Sequence, residues 1–134
     1  MQMTQIKLLF SIFGDLLNPS LFSKLISLNG SDFGFKDDPI PNRNNLKRKE
    51  TFWEYSSGFT QTLYLEELTD IFVQKFNPCL ATIIRYIEEN SLETKIFIVI
   101  EIIDDEKPSL FFKKEFMDMV VKMNGEIDID LYIL

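Results

Sequence analysis

Segments with strand-like and with helix-like hydrophobic periodicity alternate along this chain, and their order constrains the fold more than any other feature. Apolar residues alternate with period two, as in β-strands, in residues 6–13, 51–59, 94–103 and 126–134. They recur at helical spacing in residues 19–26, 65–76, 80–87 and 116–121. We therefore predict an α+β fold: a two-layer α/β sandwich with a mixed four- or five-stranded sheet and helices mainly on one face.

Short polar motifs mark the expected ends of the helices. Asn18–Pro19 is typical of a helix start, and Asn29–Gly30 is typical of a left-handed helix stop. Asn77–Pro78 divides the long helical stripe, because proline lacks the amide that the helical ladder needs. We predict two helices there, or one sharply kinked helix, with Asn77 capping the second segment.

Three other stretches differ in the regularity of their hydrophobic pattern. Residues 94–103 are apolar on both sides of their alternation from Ile96 onward, interrupted there only by Glu101, which is typical of a central strand covered on both faces. The strand of residues 51–59 is expected to close at Ser56–Ser57–Gly58. Residues 30–50 have no regular period. A connection of this length is uncommon in a domain, so it is functional, partly disordered, or contains a short strand near residues 33–36.

The composition excludes several classes of enzyme. The 134 residues suit one domain spanning residues 1–134. The absence of histidine removes Ser-His and Cys-His nucleophile systems, and the single cysteine removes internal disulfides and thiolate zinc sites. We expect no cofactor and no enzymatic activity. The N-terminal residues lack the pattern of a secretory signal, and no apolar run is long enough for a membrane span, so we expect a cytoplasmic protein with no membrane partner.

The formal charge of −7 is unevenly distributed. Residues 1–63 carry 7 basic and 6 acidic side chains, whereas residues 64–134 carry 7 basic and 15 acidic side chains. Because summed charge steers association, the acidic half favours a basic protein partner over nucleic acid or an anionic membrane. Solubility alone is the other explanation of the same charge.

Five motifs spread along the chain point together to a known family. They are Gly14–Asp15, Asn18–Pro19, Lys36-Asp37-Asp38-Pro39, Trp53-Glu54-Tyr55-Ser56-Ser57 and Asp128-Ile129-Asp130-Leu131-Tyr132. In this combination the chain resembles the bacterial family catalogued as domain of unknown function 4279 (DUF4279). The resemblance covers almost the whole chain, and the C-terminal motif is its most specific part. It implies a single bacterial domain and brings no established activity.

The C-terminal strand supplies the first candidate site. Asp128 and Asp130 lie two residues apart, so their carboxylates leave the same face of a strand, and Tyr132 extends that face with a hydroxyl. Two such carboxylates could bind Mg²⁺ or Ca²⁺. If burial raised the pKa of one of them, they could instead act as a general acid and a general base. The alternative is an ordinary solvent-facing side of a half-buried strand.

The second candidate site combines Arg43, Trp53 and Tyr55. These residue types are enriched at binding hot spots, so they predict an interaction surface, with a core tryptophan as the alternative. Arg43 also begins a basic cluster with Lys47, Arg48 and Lys49. Because no aromatic platform accompanies the cluster, we do not expect nucleic acid as the partner.

Two hypotheses follow. The first is a non-enzymatic protein-interaction domain, of the immunity or antitoxin type, whose acidic half neutralises a basic partner. The second is a small-ligand or divalent-metal-binding domain that uses Asp128 and Asp130.

Overall fold

A computed structural model describes residues 2–134, and its elements alternate between strands and helices. In chain order they are β1 (Gln5–Phe13), α1 (Pro19–Ile26), β2 (Asp32–Gly34), β3 (Phe52–Gln61), α2 (Leu65–Phe76), α3 (Leu80–Glu89), β4 (Glu93–Ile102), α4 (Lys114–Lys122) and β5 (Gly125–Ile133). A single 3-10 turn, Asn77–Cys79, joins α2 to α3. The predicted α+β fold with a mixed sheet is confirmed, and the sheet has five strands.

The strand order across the sheet is β2-β3-β1-β4-β5, with β1 in the centre. β1 pairs antiparallel with β3 and with β4, and β2 adds antiparallel to β3. β5 pairs parallel with β4, which requires a crossover connection, and α4 supplies it. β5 is an edge strand, and it forms a β-α-β unit with β4 and α4.

The helices bury one face of the sheet. Phe10 lies at the centre of this core, with edge-to-face ring contacts to Trp53, Phe72 and Phe76 at centroid distances of 5.8, 5.2 and 4.9 Å. The core is completed mainly by branched aliphatic residues of the strands and by helix side chains: Ile6, Leu8, Ile12, Phe22, Ile83, Ile96, Ile98, Ile100 and Phe116. The predicted clustering of helices on one face follows from this single core.

The opposite face of the sheet stays open. In residues 2–134 the buried side chains of all four helices join the core on the other side, and the open face shows half-buried Leu9, Phe97 and Val99. The prediction that residues 94–103 are covered on both faces is therefore wrong. The even-numbered isoleucines of β4 are buried, whereas the odd-numbered residues between them are only half-buried.

Of the three helix ends that short motifs predicted, one is confirmed. The Asn18 side chain caps α1 by accepting from the Leu21 amide at 3.1 Å, as predicted. α1 ends earlier than predicted, because Ser27 adopts the left-handed conformation in place of Asn29–Gly30. Asn77 does not cap α3: its backbone is helical, it ends α2, and its side chain makes no capping bond.

The predicted end of β3 is instead a bulge within it. Between the pairs Lys7–Phe59 and Leu9–Ser56, two residues of β3 oppose the single residue Leu8. Gly58 adopts φ 71° there, and the Ser57 hydroxyl accepts from the Leu8 amide at 2.9 Å. The extra residue bends the strand locally and lets it continue to Gln61.

A candidate protein-binding face

On the open face of the sheet, residues of neighbouring strands form cross-strand rows that mix apolar and charged side chains. One row runs from Phe59 on β3 through Lys7 and Val99 to Asp130 on β5. The pairing places Ser56, Leu9, Phe97 and Asp128 in the next row. Each row thus contains an apolar residue of β4, Val99 or Phe97, next to an aspartate of the edge strand.

Carboxylates dominate the polar groups of this open face. The charged residues of the strands that point away from the helices are Lys7, Asp32, Glu54, Glu93, Lys95, Glu101, Glu126, Asp128 and Asp130. Two lysines against seven carboxylates leave a formal charge of −5. On β5 itself, every charged residue is acidic. The open face is therefore an apolar centre with an acidic border.

Glu54 lies half-buried on this face, beside Asp32 of β2. Burial raises the pKa of Glu54, and the neighbouring charge of Asp32 raises it further, against smaller opposing effects of Lys7 and Arg48. A cation brought close to this carboxylate would lower that pKa.

The structure keeps Asp128, Asp130 and Tyr132 together on one face, as the alternation predicted. Their register partners on β4 are Phe97, Val99 and Glu101. The carboxylates therefore border an apolar patch rather than a polar cleft. Within residues 2–134, no three acidic or thiol side chains come together in a group suited to hold a metal ion.

The structure does not join Arg43, Trp53 and Tyr55 into one surface. Trp53 is only 1% exposed, and its indole N–H donates to the Ser23 hydroxyl at 2.9 Å, which matches the core alternative. Tyr55 lies half-buried against Phe76 on the helix side. Arg43 is exposed in the excursion of residues 38–48, whose arms are linked by bonds such as Ile40 N–H to Leu46 C=O.

The irregular stretch between residues 30 and 50 does contain a short strand. β2 pairs Asp32, Phe33 and Gly34 with the start of β3. It begins one residue before the predicted range near 33–36 and places Asp32 beside Glu54 on the open face.

Sequence reasoning missed the apolar centre of the face. Leu9, Phe97 and Val99 read as core residues because both sides of their strands are apolar. Lys7 and Lys95 share their side of the strands, and these two lysines were the available signal that this side meets water.

The family of the chain follows from comparison with known sequences. A sequence model of the family described as domain of unknown function (DUF4279) matches residues 4–134. The chain belongs to the DUF4279 family. The resemblance inferred from the sequence motifs is thereby confirmed, although the DUF4279 description assigns no activity. No curated protein and no solved structure matches the chain. None of the helices in residues 2–134 combines the length and hydropathy needed to cross a membrane.

Proposed function

We propose that this DUF4279 protein is a non-enzymatic protein-binding domain of the bacterial cytoplasm, and that the open face of its sheet binds a basic partner. One observation carries the proposal: an uncovered sheet face with an apolar centre, Leu9, Phe97 and Val99, bordered by Asp128 and Asp130.

The two parts of the face have different roles in binding. The apolar centre supplies area that leaves water on contact, which is the main source of affinity in interfaces. The carboxylates steer a basic partner during encounter and pair with its cations at the rim. This combination suits an immunity or antitoxin protein that neutralises a basic toxin.

The test is capture from the cytosol of the source cells, followed by rebinding of the purified partner. The test variant is Asp128→Asn with Asp130→Asn. The matched control is Glu88→Gln with Glu89→Gln, which makes the same charge change at exposed positions on α3. Exposed charge pairs contribute about 0.2–1 kcal/mol each, so we expect the test variant to bind about 2- to 30-fold more weakly.

The proposal requires a basic protein that is retained in stoichiometric amount, weakened by the test variant and by salt, and kept by the control. Retention of no protein at about 0.1 M salt would overturn it, as would a partner that binds both variants equally. Rebinding in the presence of Mg²⁺ or Ca²⁺ addresses the second hypothesis. If Mg²⁺ or Ca²⁺ binds the wild type tightly and does not bind the test variant, metal binding would replace the proposed function.

A further inference from the structure

The outer edge of β5 has free backbone hydrogen-bonding groups. The Leu134 amide donates to Ile102 C=O at 3.0 Å and the Asn124 carbonyl accepts from Thr94 at 3.3 Å, so even-numbered residues turn their backbone groups toward β4. Because these groups alternate in direction along a strand, the odd-numbered residues between them point outward. No strand within residues 2–134 pairs with this outer edge.

The helix-facing side of this edge strand is apolar and largely uncovered. Ile127 is packed against the core, but Ile129, Leu131 and Ile133 are 37%, 55% and 83% exposed. Exposure thus rises along the strand toward its C-terminal end. An exposed apolar edge strand is a template for pairing with another chain, and proteins ordinarily blunt such edges.

The other side of the same strand is acidic. Glu126, Asp128 and Asp130 alternate with the isoleucines and project onto the open face. A strand added beside β5 would place its own alternate side chains on these same two sides, about 4.5 to 5.5 Å from their β5 neighbours. The complementary strand therefore alternates basic residues with apolar residues.

A second copy of this chain does not fit that requirement. The antiparallel registers that pair most of β5 with β5 of another copy place Asp128 or Asp130 opposite an aspartate of that copy. Like charges directly opposite one another destabilise a pair of strands. A parallel pairing of the two outer edges turns one copy over, which places its aspartates on the apolar side of the other copy's strand.

From these features we infer that the β5 edge receives an extended segment of the basic partner as a sixth strand. The segment carries alternating lysine or arginine and aliphatic side chains. The inference rests on the proposed function, since it specifies how the basic partner engages the acidic border. Backbone hydrogen bonds hold the segment, while the alternate side chains select it.

The experiment uses the whole chain and a capped eight-residue peptide that alternates lysine and valine. Two further peptides have the same sequence but carry backbone N-methyl groups. The first is methylated at every lysine amide, and the second at every valine amide. A fourth peptide replaces lysine by glutamate. Amide hydrogen exchange of the ¹⁵N-labelled protein reports which β5 amides become protected.

We expect the unmodified peptide to slow exchange at Ile129, Leu131 and Ile133 by about tenfold or more, because these are the outward amides. One N-methylated peptide should lose this protection and the other should keep it, since only alternate amides of an added strand face β5. The glutamate peptide should give none. Asp128→Asn with Asp130→Asn should weaken the protection, and Glu88→Gln with Glu89→Gln should leave it unchanged.

Different failures separate this inference from the proposed function. If the lysine peptide perturbs Leu9 and Phe97 without protecting the odd-numbered β5 amides, a basic partner uses the open face and strand addition is wrong. If both N-methylated peptides protect β5 equally, side chains alone hold the peptide and strand addition is again wrong. The proposed function is tested independently by the cytosolic partner, whose failure to bind would overturn both.

Discussion

The stability of the sheet should depend on one of its faces far more than on the other. Phe10 and Phe97 test this directly, because they lie on neighbouring strands but on opposite faces. The perturbation is Phe to Leu at each position, which keeps an apolar side chain and removes the ring. We expect Phe10→Leu to cost several times more free energy of unfolding than Phe97→Leu.

The magnitude follows from the ring contacts at each site. Phe10 is fully buried and makes edge-to-face contacts with three rings, each worth about 0.5–1.5 kcal/mol beyond its buried area. We therefore expect Phe10→Leu to cost about 2–4 kcal/mol. Phe97 is half-buried, and its ring has Lys95 Nζ 5.6 Å from its centroid. Losing that exposed cation–π contact should cost no more than about 1 kcal/mol.

Urea unfolding measures both values. Trp53 is the only tryptophan and lies in the core, so its fluorescence reports unfolding, and far-UV circular dichroism checks that the transition is two-state. With a urea slope of about 2 kcal/mol per M, the Phe10 variant should lose about 1–2 M in midpoint and the Phe97 variant less than about 0.5 M. Equal losses would refute the reasoning, because they would mean that the open face is covered and contributes a second core.

Two further predictions concern Glu54 and Gly58. Because the folded state raises the pKa of Glu54, the stability that its protonated form contributes is complete below the ordinary glutamate pKa and is lost as pH rises through the folded value. Glu54→Gln should therefore raise Tm relative to wild type by a margin that grows between about pH 4 and about pH 7, and a margin that shrinks would contradict the assignment. At the β3 bulge, Gly58 has φ 71° and space around its Cα, so Gly58→Ala should cost about 1–2 kcal/mol in urea unfolding through backbone conformation alone. Gly58→Asn should cost less, because asparagine tolerates the left-handed region, and an alanine variant as stable as the asparagine variant would disprove this explanation.

Local signals predicted the elements themselves. The alternation of apolar residues placed β1, β4 and β5, since a period of two has few other structural explanations. The start of α1 followed from Asn18–Pro19, because the capping bond and the fixed proline φ act within one turn of the chain. Periodicity and helix capping depend on residues that are close together in the chain, so they can be recognised in the sequence alone.

Glycine positions were harder to interpret, because the same residue serves different needs. Gly30 looked like a helix stop, but a Cβ there would lie 2.7 Å from Nε1 of Trp53. It is glycine because the backbone approaches the indole closely, and Ser27 takes the left-handed stop instead. Gly58 looked like the end of a strand and is a bulge within it. Only the partner of each glycine distinguishes these roles, and the partner is distant in sequence.

Which face of the sheet is covered was also hard to predict, because Lys7 and Lys95 were the only local signal. Phe97 and Val99 have the chemistry of core residues, and only the packing of all four helices on the other side leaves them half-buried. Alternation correctly placed Asp128 and Asp130 on one face of β5. The exposure of Leu9 and Phe97 depends on tertiary coverage, and it was missed.

The aspartates of β5 affect two kinds of strand pairing at its outer edge, pairing with a second copy and pairing with a basic segment. Ile129, Leu131 and Ile133 give the edge an apolar side, and the outward backbone groups give it hydrogen-bonding capacity. Alone, these features favour pairing with a second copy, since each copy carries the same edge. Asp128 and Asp130 oppose that pairing by like-charge repulsion, yet the same charges attract a basic strand. Replacing them with asparagine should therefore have opposite effects on the two kinds of partner: weaker binding of a basic segment and stronger self-association.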